Sequence, residues 1–461
     1  MKRQLLRFAA PLTALATAAC MTAPAPPPTV APASATGPFI AVPVASIDPL
    51  PDDWWRLYED PQLDALVTAS LVANADLRVA YANLDAARAA LRGAKAARLP
   101  TTTIESALTV DDPSNQPSAA SVSASDWDVA ATVGWDIDLF GRLRSGALAA
   151  QADAAAQAAA TDAVKVAVVA DTVQAYADLC GAGQAMGEAQ AVSAAQERSL
   201  ALVRDQLAAG EVSPLEVSQA AALAASTRAE IAPFAAQRAN ALYRIAALQG
   251  RPPAEARSFV FTCTTALRLR TAAPVGDGTA LLLRRPDIRE AERKLAAAAA
   301  RIGVARADLY PRINLGGALG LLAGGFDAAA SPLVSWAFPN QGPARAKLAQ
   351  ARAGEQAALA GWDVAVLKAL REVETALAAY DAEVRRNRDL AAAVTEAQAY
   401  ARRSAARVRL GDASSLLQVD AERGLAGARL AKARSDLAVS AAEITLFRAL
   451  GGGWRVGGGP G

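Results

Sequence analysis

The chain has no histidine. That removes the commonest general base, the Ser-His-Asp and Cys-His nucleophile systems, and most zinc sites. No other arrangement of residues suggests a catalytic, cofactor-binding or metal site, so an enzyme is not expected. Cysteine occurs three times in 461 residues, and aromatics make up only 5%. After the N-terminal segment no run of 18 or more apolar residues is long enough to span a bilayer as a helix. Nor does a basic tract follow the first few residues. The 47 basic and 45 acidic residues are scattered and leave a net charge of +2, which argues against a nucleic-acid partner.

What is abundant is alanine, with leucine and valine, within a 53% hydrophobic composition. Alanine loses no side-chain entropy in a helix and lets backbones pack closely, so long helices are expected. Residues 1–20 read as a bacterial export signal: Lys2, Arg3 and Arg7 precede an apolar, small-residue stretch that stops at Cys20. Ala18-Ala19-Cys20 resembles a lipobox, in which the cysteine is acylated and anchors the chain in lipid, although Thr17 stands where leucine is usual. Ordinary signal cleavage is the alternative. Residues 21–51, rich in Pro, Ala and Thr, read as an extended tether. Cys180 and Cys263 either form a disulfide in an oxidising compartment or remain two small buried thiols.

Internal repetition is the most informative feature. Asp76, Arg78, Ala80, Leu84 and Pro100 meet Asp287, Arg289, Ala291, Leu295 and Pro311 at a constant shift of 211. Trp135, Gly141 and Arg144 meet Trp336, Gly342 and Arg345 at a shift of 201. The segment GEVSPLEVSQA, beginning at Gly210, meets GDASSLLQVDA, beginning at Gly411, at the same shift. The chain therefore reads as a first repeat over 52–265, a connector over 266–281, a second repeat over 282–450 and a flexible Gly-rich tail over 451–461. Each repeat is expected to hold a helix of about 25 residues (74–98; 286–309) and two short strands (101–110 and 126–139; 312–321 and 332–338). A very long helix (142–209; 344–410), a glycine turn and a returning helix (214–249; 414–450) complete it. At about 1.5 Å per residue the long helices reach on the order of 100 Å, too long for one globular core. Their charged residues exclude membrane spans.

The segment 126–139 alternates. Trp127, Val129, Ala131, Val133, Trp135, Ile137 and Leu139 share one face, and four aspartates lie on the other. This suits a strand between lipid and a wet lumen, with Trp127 and Trp135 roughly 27 Å apart at the apolar band's edges; a strand covering a soluble core is the blander reading. Trp336 is the second repeat's counterpart of Trp135. Four strands cannot close a membrane barrel, and open edges cannot face lipid, so several copies must share one: two give eight strands, three give twelve.

WWRLYEDPQLDALV, WDIDLFGRLR, LLRRPDIREAER and ARIGVARADLYPRINL resemble the outer-membrane efflux lipoproteins of the TolC superfamily, in its NodT-like branch. The resemblance runs from about Trp54 to Leu450. It implies a mostly α fold with a small β part: a homotrimer whose twelve-stranded barrel continues into a periplasmic tunnel of α-helical hairpins. It also implies partners, a periplasmic adaptor and an inner-membrane pump, commonly of the resistance-nodulation-division type. Gly210 and Gly411 would sit at the hairpin tips. By resemblance, Leu416, Asp420 and Arg423 narrow the aperture after the second turn, with Glu216 a lesser candidate from the first. An ordinary surface pair is the alternative for Asp420 and Arg423. Leu417 stands at a family site that is usually acidic in TolC itself. Ser213, Leu215, Ser414 and Leu416 are candidates for adaptor docking, or for plain packing between hairpins, and 250–281 for an equatorial belt. A lipid-anchored coiled-coil scaffold without a pore, and a type I secretion duct for polypeptides, are the competing readings.

Overall fold

The computed structural model describes residues 25–31, 35–40, 45–46, 48–109, 126–263, 265–322 and 325–452. The expected signal segment with Cys20, and the tail beyond 452, lie outside the described residues. The chain enters through a two-residue strand β1 (Ala45–Ser46) and a 3-10 turn over Trp54–Tyr58. Helix α1 (Pro61–Ala73) follows; Asp60 caps it by accepting from the Gln62 and Leu63 amides, and Pro61 fills the first turn, where no amide donor is needed. Next come α2 (Ala75–Ala96), β2 (Thr101–Thr109), β3 (Asp126–Ile137) and the 67-residue α3 (Arg142–Ala208). Past a turn at Gly210 the chain returns as α4 (Pro214–Ala229) and α5 (Ile231–Leu248). A connector carries β4 (Ala273–Pro274) and α6 (Gly278–Arg284). The second repeat supplies α7 (Pro286–Ala307), β5 (Arg312–Leu322), β6 (Gly325–Ser335), the 68-residue α8 (Gly342–Arg409) and α9 (Ser415–Ala449).

The duplication extends to individual hydrogen bonds. Helices α2 and α7 are 22 residues each and are offset by 211 at both ends. The residue before each donates to the last carbonyl of its repeat's returning helix: Asn74 Nδ2 to Leu248 O at 3.2 Å, and Arg285 Nη1 to Ala449 O at 2.8 Å.

Two expectations need correction. The returning limb of the first repeat is broken at Glu230 rather than continuous, whereas α9 runs unbroken. Pro233 is the cause: it lacks an amide, and its ring clashes with the carbonyl four residues back, at Ala229. Arg434 stands at the matching position of α9 and fits the ladder. The last strand is Gly325–Ser335, not 332–338. Its Ala-rich start has weak strand propensity, but a tight hairpin onto β5 pairs Leu322 with Gly325 and imposes the ladder. Within the single chain Pro332 falls on an edge strand, β6, where one missing donor is tolerated.

The described residues form two compact units. One comprises the described parts of 1–30, 82–159 and 289–365; the other those of 31–81, 160–288 and 366–461. In the first, small residues such as Ala147, Ala154, Ala297 and Ala300 are buried along α3 and α7, with Leu295 and Ile302 among them. In the second, Trp54 and Trp55 are fully buried, and Trp54 packs on Phe447 at 4.9 Å between ring centroids. Parts of the tether between residues 35 and 51 dock here. β1 pairs parallel with β4, the Gly278 amide donates to Gly37 O at 3.0 Å, and Phe39 and Leu50 are buried. Gly278 must be glycine, because a Cβ there would lie 2.1 Å from Ala35 O.

Candidate functional site

The four strands of the first unit form one antiparallel sheet in the order β2-β3-β5-β6. Register decides which side chains share a face. Ile104 lies opposite Ala131, Trp135 opposite Leu315, Leu315 opposite Pro332 and Ile313 opposite Val334. One face therefore carries Ile104, Val129, Val133, Trp135, Leu315, Leu319, Phe326 and Val334, all large, apolar and solvent-exposed, with Ile104 78% and Phe326 74% accessible. The opposite face carries Thr101, Thr103, Glu105, Thr132, Asp136, Arg312, Asn314 and Ser331, interrupted by Leu333. Among the described residues nothing pairs with the outer edges of β2 and β6.

Trp135 and Trp336 lie at matching ends of this sheet. Their Nε1 groups donate to Arg98 O at 3.1 Å and to Leu309 O at 3.2 Å, the carbonyls just past α2 and α7. Both rings remain half exposed, 41% and 50%. The Trp127 side chain lies outside the described residues. The acidic face is shorter than the alternation suggested, because β3 ends at Ile137. Asp138 instead accepts from the Leu143 and Arg144 amides at 3.0 and 2.7 Å, capping α3, and Asp136 pairs with Arg142.

The hairpin ends belong to the second unit. Gly210 and Gly411 adopt φ of 79° and 77°. Each ends its long helix by the same pair of bonds: Gly210 N to Leu207 O and Glu211 N to Gln206 O, both 2.9 Å, and Gly411 N to Val408 O and Asp412 N to Arg407 O, both 3.0 Å. Only glycine reaches this left-handed conformation without strain. After the first turn, Glu216 accepts from the Ser213 amide at 2.9 Å and from its hydroxyl, which holds the Glu216 carboxyl below its ordinary pKa. Glu216 thus closes a capping box on α4. The second turn has no such box, since Leu417 stands three residues after Ser414.

Leu416, Asp420 and Arg423 fall four and three residues apart on the exposed side of α9, while Val419 and Ala421 are buried behind them. Asp420 and Arg423 form an ion pair at 3.8 Å with side chains 66% and 56% exposed, a pair of little intrinsic stability. Leu215 and Ser213 are exposed at the first turn, and Ser414 at the second. Leu200, Val203, Ala220 and Ala224 pack α3 against α4 beneath the first.

Higher in the same unit the connector is fastened to the helices. Cys180 of α3 and Cys263 are joined by a disulfide closing 83 residues. The Ala266 amide donates to Gln184 Oε1 at 2.7 Å, and Ser440 Oγ to Leu267 O at 2.5 Å. Arg268 reaches Asn387 Oδ1 at 2.9 Å and also pairs with Asp436, which takes Lys432 at 2.6 Å. Beside this network Glu443, 2% exposed, accepts from Tyr58 Oη at 2.5 Å and Tyr380 Oη at 3.2 Å. Burial pushes its carboxyl up to about 7, although both tyrosine hydroxyls, the Leu269 amide and the Arg268 charge favour the ionised form. No sequence motif marks Glu443; its isolation in the apolar run VSAAEITLF is the one local signal of it. Arg285 enters the sequence analysis only within the LLRRPDIREAER block. It is buried and holds Asp287 and Glu372, at 2.6 and 2.8 Å, besides Ala449 O. Among the described residues no group of His, Cys, Asp or Glu is placed to hold a metal ion.

The chain matches the family model for outer membrane efflux proteins over residues 66–251 and 279–452, one match per repeat. It is 32% identical to the outer membrane protein OprJ of Pseudomonas aeruginosa, covering 90% of this chain and 88% of the relative. Identity to the solvent efflux pump outer membrane protein SrpC of Pseudomonas putida is also 32%, over 87% of each chain. The solved structure of the outer-membrane channel OprN superposes with a TM-score of 0.84 at 33% identity, covering 94% of this chain and all of that one. With both repeats matched and the fold shared along nearly its whole length, the chain belongs to the outer membrane efflux protein family.

Proposed function

We propose that three copies of this chain close a twelve-stranded barrel in the outer membrane and continue into the periplasm as a helical duct. The duct is a passive conduit for small molecules, without catalysis of its own, driven by an inner-membrane pump through a periplasmic adaptor. The observation that carries this reading is the four-stranded sheet, apolar and exposed on one face, with both edges unpaired among the described residues. In lipid each unsatisfied backbone group costs several kcal/mol, and four strands are too few to close. Pairing β6 of one copy with β2 of the next removes both problems, and the threefold choice follows from the resemblance to TolC-type channels. Tryptophans at the ends of β3 and just past β6 suit the lipid–water boundary. An acylated Cys20 adds a lipid anchor, and residues 250–281 form a belt outside the duct.

At the hairpin ends Ser213, Leu215, Ser414 and Leu416 meet the adaptor. Three Asp420 carboxylates about the axis draw cations and pair with Arg423 to narrow the mouth. The purified protein is expected to be trimeric in detergent and to give discrete conductance steps in planar bilayers. A monomer that stays soluble without detergent and gives no steps refutes the duct. Asp420→Asn is expected to weaken cation preference, and unchanged conductance and selectivity refute the gate.

A further inference from the structure

The duplication allows the two hairpin ends to be compared position by position at the 201-residue shift. Near the end of α3 stand Ala201, Leu202 and Ala208; their counterparts near the end of α8 are Arg402, Arg403 and Arg409, and all six are exposed. Burial therefore does not account for the change. Over the matched windows 197–228 and 398–429 the first holds three basic and four acidic residues, the second six basic and three acidic. The basic surplus is not neutralised locally. Arg407 pairs with Asp412 at 2.9 Å, Arg423 with Asp420 at 3.8 Å and Arg429 with Glu188 at 3.6 Å. Arg402, Arg403 and Arg409 form no ion pair among the described residues; Arg409 only donates to Ala405 O of its own helix, at 3.4 Å. The helix dipole does not explain them either. It favours cations only within the last turn, which Arg402 and Arg403 precede, and it acts equally at the end of α3, where no such cluster occurs.

We infer that the second-repeat hairpin end, through Arg402, Arg403 and Arg409, docks a carboxylate-bearing helical surface of a partner protein, and that the first-repeat end does not share this preference. The inference rests on the reading that the hairpin ends meet a periplasmic adaptor. The three arginines span about 10 Å along α8, two turns of an opposing helix. Guanidinium forks engage carboxylates in paired hydrogen bonds, as Arg407 already does with Asp412 in part. The interspersed Asp412, Asp420 and Glu422 repel a continuous polyanion or an anionic lipid surface, which favours a protein offering a few separate carboxylates. The pseudo-equivalent ends thereby become chemically distinct, so a partner can tell one repeat from the other.

The test uses the full chain in detergent with three probes: a synthetic helical-hairpin peptide bearing glutamates on its exposed face, the same peptide with lysines, and phosphatidylglycerol vesicles. The wild type is expected to bind the glutamate peptide alone, about tenfold more weakly at about 0.3 M than at about 0.05 M salt. R402E/R403E is expected to lose about tenfold in affinity, and A201E/L202E to lose none. Unchanged binding by R402E/R403E, equal binding of the lysine peptide, or a preference for vesicles overturns the inference. R402Q/R403Q serves as the milder variant should charge reversal prevent folding. Planar-bilayer conductance on the same preparations separates the two claims. Wild-type steps with no selective peptide binding refute the docking alone; absence of steps in the wild type refutes the duct and the docking with it.

Discussion

Replacing Glu443 by glutamine isolates one buried charge and makes a prediction whose sign is fixed by the structure. The carboxyl lies where the Trp54–Tyr58 turn, the connector, α8 and α9 meet, facing Tyr58, Tyr380 and Arg268. Burial raises it from the ordinary 4.5 to about 7, a displacement worth about 3 kcal/mol. Because the folded value is the higher one, the folded chain keeps a proton between about 4.5 and 7 that the unfolded chain has released. Below that window the group is neutral in both states and costs nothing. As pH rises through it stability falls, and above it the whole penalty persists. Glutamine stays neutral and its amide oxygen still accepts from a tyrosine. Glu443→Gln is therefore expected to match the wild type at pH 4.5 and to exceed it by about 3 kcal/mol at pH 8. Thermal or guanidinium unfolding of detergent-solubilised protein across that range measures the difference between the two profiles, in which all other titrations cancel. Parallel profiles would show that water or the Arg268 charge already solvates the ionised form, and would refute the argument.

Other outcomes follow from single features. Cys180→Ser or Cys263→Ser opens an 83-residue loop and is expected to cost about 4 to 5 kcal/mol on the chain-entropy estimate; an unchanged melting temperature, or two free thiols in exported wild-type protein, contradicts it. Gly411→Ala forces a side chain into the left-handed region at φ 77° and is expected to destabilise by about 1–2 kcal/mol, where an exposed helical Gly→Ala such as at Gly354 stabilises; equal effects at the two sites dispose of the turn argument. Leu319→Arg, on the exposed apolar face of the sheet, is expected to cost about 2–4 kcal/mol if that face meets lipid, seen as loss of trimer from outer-membrane fractions; normal assembly would place that face in water.

Much of this molecule is legible in its linear order because its elements are long and repeated. Alanine-rich periodicity sustained over 67 and 68 residues can only be helix, and the constant shifts located both glycine turns and the starts of α2 and α7 within a residue or two. The alternation in β3 named the apolar face before any partner strand was known. Where local propensity was weak, tertiary context decided. The Ala-rich start of β6 became strand because β5 offered a ladder. The break in one returning limb is local instead, written in Pro233, where the unbroken counterpart carries Arg434.

Site chemistry divides along the same line. Gly210 and Gly411 act through bonds to residues within a few positions, and the 201-residue shift located both turns; the Ser213–Glu216 capping box is equally local, although these two residues are named from sequence only for docking and for the aperture. Glu443, Arg268 and Arg285 act across separations of 385, 168 and 164 residues, which no local pattern encodes. The choice between a disulfide and two thiols likewise waited on whether folding brought Cys180 and Cys263 together. Sequence by itself determined what most segments are, the start of β6 excepted, because helix and strand periods are written in neighbouring residues. Only the tertiary structure decided which buried charges exist and what compensates them, because burial belongs to the packed chain and not to any stretch of it.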